Sequence, residues 1–197
     1  MTDVQKTAPQ PAAATSTREP PTDELATYRT RYPVKPMQRA VDNADELKLM
    51  LVEDGMYELP SPPAQATQFP RIRAVPTTRA TAPRGRHLWV IRPADMPVAL
   101  EACPWGATLQ SGCIKHSNLT GGADAHSGGE MWFTGEDHIA INAASGRYGA
   151  QSEQEFEVII GALRRAGFYV ASTGFDIDNP TVPNRVFAGD PDWQEPL

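Results

Sequence analysis

Cysteine is scarce in this 197-residue chain: Cys103 and Cys113 are the only two. Two thiols cannot form the disulfide framework of a small secreted domain. They read as buried thiols of a reducing compartment, with a single bridge as the alternative. A basic excess is also missing. The formal charge is −6, which argues against a general nucleic-acid binder. No apolar run approaches the roughly 20 residues of a membrane helix. The first residues lack the basic-then-apolar pattern of a secretory signal. A soluble protein is expected, cytoplasmic or exported without a Sec-type signal peptide. Common catalytic signatures are missing too: G-x-S-x-G, H-E-x-x-H, the dinucleotide fingerprint and the P-loop. Cys103, Cys113, His116 and His126 give C-x9-C-x2-H-x9-H. The residue types suit zinc but the spacing is not that of the common fingers, so no metal site is assigned and the cofactor is unknown.

Large aliphatic residues are nearly absent from residues 1–24, where Val4 stands alone among Ala, Pro, Thr and Gln. Such a segment buries too little apolar surface to offset its ordering entropy, and a disordered tail is expected. Residues 25–59 form a short helical segment in this reading. Asp42 or Asn43 caps a helix that carries Leu47, Met50 and Leu51 on one face and stops near Asp54-Gly55. Residues 60–85 hold six prolines and no acidic residue. They read as an extended linker or a strap across the surface. Arg71, Arg73, Arg79, Arg84, Arg86 and Arg92 succeed one another without an intervening carboxylate, while the rest of the chain carries 12 basic against 24 acidic residues. The run is either a solvated arm facing an acidic domain or a contact for phosphate or an acidic partner. A protein partner would meet the chain through residues 25–92.

A compact α+β domain is expected over 86–197: a small, mostly antiparallel sheet with at least one packed helix. Its strands are His87–Ile91, Cys113–His116, Glu130–Phe133, His138–Asn142 and Phe168–Ser172, with a short helix over Met96–Ala102. Thr134–Asp137 fits a hairpin turn. Ser152 and Glu155 form a capping box. Behind it Phe156, Ile159, Ile160 and Leu163 make one apolar stripe, and Gly167 supplies the left-handed cap.

Chemistry-bearing residues crowd into Ile114–Gly149. His116 and Ser117 end a strand and could serve acid/base work or binding, or Ser117 and Asn118 could cap a turn that Gly121-Gly122 completes. The Gly pairs allow positive φ and close backbone approach to a ligand. Glu130 starts an otherwise apolar strand, where burial could fit it for proton transfer. Ser145, Arg147 and Tyr148 share one turn that could hold a carboxylate or phosphate, or could be structural.

The segments KHSNLTGG, GGEMWF and INAASGRYG together resemble a little-characterised domain with KHSS and SGHY motifs. It occurs in plant IQ-motif calmodulin-binding proteins and at the C-termini of bacterial polymorphic toxins. The resemblance spans roughly residues 86–170 and departs at Arg147, where the pattern has His. The IQ helix is absent, so calmodulin binding is not implied. It implies an effector- or toxin-like domain. His116, Ser117, Glu130 and Tyr148 are then the candidate catalytic residues, with Ser145, Arg147, Gly121 and Gly122 binding an anionic small molecule. Two other functions stay open. One is a non-catalytic interaction module using the basic Pro-rich arm, whose core would fold without residues 1–85. The other is an ADP-ribosyltransferase-like enzyme using Arg92, Ser117 and Glu130 in that order.

Overall fold

The structure, a computed structural model, describes residues 25–59 and 69–197. The expected tail over 1–24 and the first part of the Pro-rich stretch lie outside the described residues. One six-stranded sheet organises the rest. Its strands are β1 (Met56–Leu59), β2 (His87–Ile91), β3 (Met96–Leu100), β4 (Ser127–Phe133), β5 (His138–Asn142) and β6 (Tyr169–Ser172), in the order β1-β3-β2-β4-β5-β6. Every pairing is antiparallel except β5 with β6. The exception follows from the helix α2 (Glu153–Arg165), because a parallel return needs a crossover. The fold is therefore α+β, with a mostly antiparallel sheet and a packed helix.

Helix α2 forms as its sequence dictates. Ser152 Oγ accepts from the Glu155 amide at 3.1 Å, and Gly167 ends the turn at φ +97°. Glu155 reaches back, but to the Gln151 amide at 2.8 Å rather than to that of the cap itself. Phe156, Ile159, Ile160 and Leu163 are buried against Trp89, Ile91, Met131, Phe133, Ile139 and Ile141. A second, short helix, α1 (Ala26–Arg31), adds Leu25 and Tyr28 to this core. The Tyr28 hydroxyl donates to Glu155 at 2.7 Å, and Lys35 pairs with the same oxygen at 2.9 Å.

Alternation sends the remaining side chains of the strands to the other face. There Leu88, Val90 and Ala99 meet Met50, Ile114, Leu119 and Tyr148 at one end. Trp132, Ala140 and Ala171 meet Ala82 and Phe187 at the other. No second helix layer covers this face among the described residues; turns and extended segments do.

Three local expectations are corrected. Met96–Leu100 is a strand, not a helix. Asp95 and Pro97 resemble a helix start, but Pro97 lies just beyond the last β2–β3 pair, Trp89↔Val98, where a missing N–H costs no ladder bond to β2. Residues 42–53 are two short 3₁₀ turns, Ala44–Leu47 and Val52–Asp54, not one amphipathic helix. Asn43 does cap the first, accepting from the Asp45 amide at 3.0 Å. Met50 is buried, whereas Leu47 and Leu51 remain exposed. Cys113–His116 is not a strand either. His116–Leu119 is a 3₁₀ turn, because Asn118 Oδ1 takes the Lys115 amide at 2.8 Å and closes the chain on itself.

The described part of the Pro-rich stretch lies on the sheet as a strap. Phe69 stacks on Phe133 with ring centroids 4.0 Å apart. The Ile72 amide donates to Phe133 O, and the Trp132 indole donates to Ala82 O, both at 2.9 Å. Arg71 pairs loosely with Glu136 at 3.4 Å.

Candidate functional site

The Gly128-Gly129 pair is where the sheet admits the site. A Cβ on Gly129 would stand 2.1 Å from Asn142 O and 2.7 Å from the Trp89 ring. A Cβ on Gly128 would meet Tyr148 Cβ at 3.3 Å and His116 Cδ2 at 3.4 Å. His116 and Tyr148 therefore share the space over Gly128. Glu130, two residues along β4, projects from the same face, roughly 7 Å further on. These three candidate residues are neighbours on one face of the sheet.

His116 donates from Nε2 to Gly129 O at 2.8 Å. That bond fixes the tautomer and leaves the lone pair on Nδ1. Burial pushes the imidazole down to about 4, helped by Arg147, Arg86 and Arg185. His116 is thus neutral at pH 7 and stands within the field of three guanidiniums.

Glu130 is an organiser of cations. Its carboxylate accepts from Arg86 Nη1 at 3.0 Å and from Asn142 Nδ2 at 3.0 Å, and Arg185 Nη1 lies 3.5 Å away. Arg86 also donates Nε and Nη2 to Glu101, at 2.8 and 2.6 Å. Two hydrogen-bond donors and a third cation thus converge on the Glu130 carboxylate. Arg185 is the loosest member: its side chain is 47% exposed. It arrives from the irregular C-terminal segment, and no sequence pattern marks it. Glu130 does not start its strand, because β4 begins at Ser127; a carboxylate buried in the middle of a strand requires cations from neighbouring segments.

Arg147 is buried and ion-paired with Glu46 of the first 3₁₀ turn. Its Nε has no hydrogen-bond partner among the described residues. Tyr148 hydrogen-bonds Thr120 Oγ1 and Ala123 O, both at 3.0 Å. Burial pushes its phenol up, so it stays a donor. Ser145 Oγ accepts from the Arg147 and Tyr148 amides, at 3.3 and 3.1 Å. Gly121 and Gly122 take φ of +63° and +83° beneath Leu47 and Leu49. These four residues hold turns together, and the 121–122 backbone is covered by the chain's own leucines. Ser117 is fully buried, its Oγ without a partner among the described residues, and no hydrogen bond joins it to His116.

No family model matches this chain, and no curated protein or solved structure matches it.

Other arrangements are not assembled. Arg92 bonds Asp95 and Leu119 O. It lies four residues along β2 from Leu88, the partner of Glu130, which is roughly 13 Å. Among the described residues no three His, Cys, Asp or Glu side chains gather as a metal site. Cys103 and Cys113 are both free thiols. No helix among the described residues is long and apolar enough to cross a membrane. A cavity of about 590 Å³ is lined by Ser145, Gly149, Gln151, Thr181 and Pro183. His116 and Glu130 are not in its lining.

Proposed function

We propose that the face over Gly128–Glu130 is a site for an anionic small molecule, with His116 as the group that takes up or returns a proton in transfer chemistry. The observation that carries this reading is geometric: His116 and Tyr148 share the space over Gly128, and the half-exposed Arg185 lies 3.5 Å from Glu130 two residues along the same strand. Arg86 and Arg147 are already paired with carboxylates, so an arriving anion would be met by the Arg185 guanidinium, and its charge would make protonation of His116 less costly. Arg185 is the natural entry contact, since it is exposed and only loosely engaged with Glu130. Glu130 aligns Arg86 and Arg185, Tyr148 and Ser145 hold the turns, and Arg147 adds field from beneath. The effector- or toxin-like setting belongs to the same proposal and rests on the resemblance of the three motifs.

Arg185→Gln tests it. Binding of inorganic pyrophosphate, followed by calorimetry, should weaken about tenfold in Arg185→Gln, the effect of removing one charge-assisted hydrogen bond at an exposed position. The melting temperature of that variant should stay within a degree or two of the parent. Binding that is absent in the parent, or equal in the parent and Arg185→Gln, overturns the reading.

A further inference from the structure

A second cavity lies at the far end of the sheet, about 520 Å³ in volume. That is ample for a small metabolite. Three separated segments wall it, and each is pinned. The strap is held where Phe187 N donates to Pro76 O at 2.9 Å. The C-terminal segment is held where Gln194 N and Val170 O bond at 2.9 Å, with the reverse bond at 3.0 Å. The β4–β5 hairpin forms the third wall. The cavity therefore belongs to the packed fold rather than to a loose loop.

Its lining is chemically divided. Trp193 and Val75 give it an apolar side. Arg73 and Asp190 bring opposite charges to the same space, and neither makes an ion pair or a side-chain hydrogen bond among the described residues. His138 also lines it. Its Nδ1 is 2.6 Å from Asp137 Oδ1, its ring stacks on Tyr169 at 4.6 Å, and Trp193 meets its edge at 5.0 Å. With Nδ1–H given to Asp137, Nε2 presents a lone pair in an orientation fixed by two aromatic rings.

We infer that this cavity binds a small zwitterion with an apolar body, an α-amino acid with an aromatic or large aliphatic side chain. Arg73 takes the carboxylate, Asp190 and His138 Nε2 take the ammonium, and the side chain lies against Trp193 and Val75. Two unpaired, opposite charges beside an apolar wall match the two charges and the body of such a molecule. The inference is independent of the site over Gly128.

L-phenylalanine is the probe, followed by amide chemical shifts on the full chain. Saturable shifts at Thr134–His138 and at the Trp193 indole are expected. N-acetylphenylalanine, which lacks the ammonium, and phenethylamine, which lacks the carboxylate, should each bind at least about tenfold more weakly. Arg73→Gln should weaken phenylalanine by a similar factor and leave phenethylamine unchanged. Asp190→Asn should do the converse, sparing N-acetylphenylalanine. His116→Gln should bind phenylalanine as the parent does, which separates this site from the one above. No saturable shift, or binding indifferent to both Arg73→Gln and Asp190→Asn, overturns the inference. Both substitutions lie at exposed positions, so the fold should survive them.

Discussion

Arg147 donates to the carboxylate of Glu46, a residue 101 positions earlier, and both side chains are buried. The segment before the strap thus lies across the turn that carries Arg147. Its hold extends further: Asn118 donates to Asp45 O and Lys48 O, both at 2.9 Å, and the Met50 amide donates to Asn118 O at 2.8 Å.

Removing one member of a buried ion pair leaves the other charge without compensation. Glu46→Gln should therefore destabilise the fold by about 3–5 kcal/mol in urea unfolding. The double variant Glu46→Gln with Arg147→Gln should recover part of that loss. Equal losses in the single and double variants would show that the pair is not coupled.

Residues before Arg86 are part of the packing. Leu25, Tyr28, Leu59 and Phe69 lie in the α2-side core, Met50 lies in the opposite one, and β1 is an edge strand. Losing one large buried side chain costs about 2–5 kcal/mol, against a total stability of about 5–15 kcal/mol. A fragment of residues 86–197 should therefore give a collapsed, poorly dispersed amide spectrum. A dispersed, cooperative fragment would mean that the first 85 residues are an accessory.

Burial, chiefly, pushes both His87 and His116 down to about 4 from an ordinary 6.5. Between those values the unfolded chain holds protons that the folded chain does not. Stability is complete above pH 6.5 and should fall by a few kcal/mol as the pH drops toward 4. Glu157, pushed up by partial desolvation and by its neighbour Glu153, has the opposite sign, but solvent at its exposed position screens the effect. Asp45 and Asp95 are pushed down, so their losses fall below the window. Urea midpoints at about pH 7 and pH 5 measure this, and His116→Gln should remove about half the difference.

Two glycines make a paired test of the sheet geometry. Gly129→Ala would drive a methyl into Asn142 O and the Trp89 ring, backbone and packed indole that cannot both move aside. It should cost more than about 4 kcal/mol or prevent folding. Gly146→Ala meets nothing within 4 Å and has no positive φ. It should be neutral or slightly stabilising. Thermal unfolding of the two variants reads the contrast directly.

What is legible in the chain follows from local signals. The α2 stripe, its Ser152 cap and Gly167, the β4–β5 hairpin and four of the six strands each have a pattern that tertiary context does not override. The misread elements have separate causes. Pro97 and Asp95 mimic a helix start inside a strand, and Lys115–Asn118 closes through a side chain that outcompetes extension. The short strand β1 forms only because β3 offers it a partner. Within Ile114–Gly149, His116 and Tyr148 share the space over Gly128, and Glu130 lies two residues further along the same strand. Arg86 and Arg185, which give the cluster its charge, come from outside that stretch, and only folding brings them in.

The most direct test is the titration of the His116 ring by NMR, in the free protein and with saturating pyrophosphate. The free ring should titrate near 4, and a bound anion should raise that value by about one unit or more. A ring that titrates near its ordinary 6.5, or one that does not respond to the anion, would contradict an anion site built around a neutral His116.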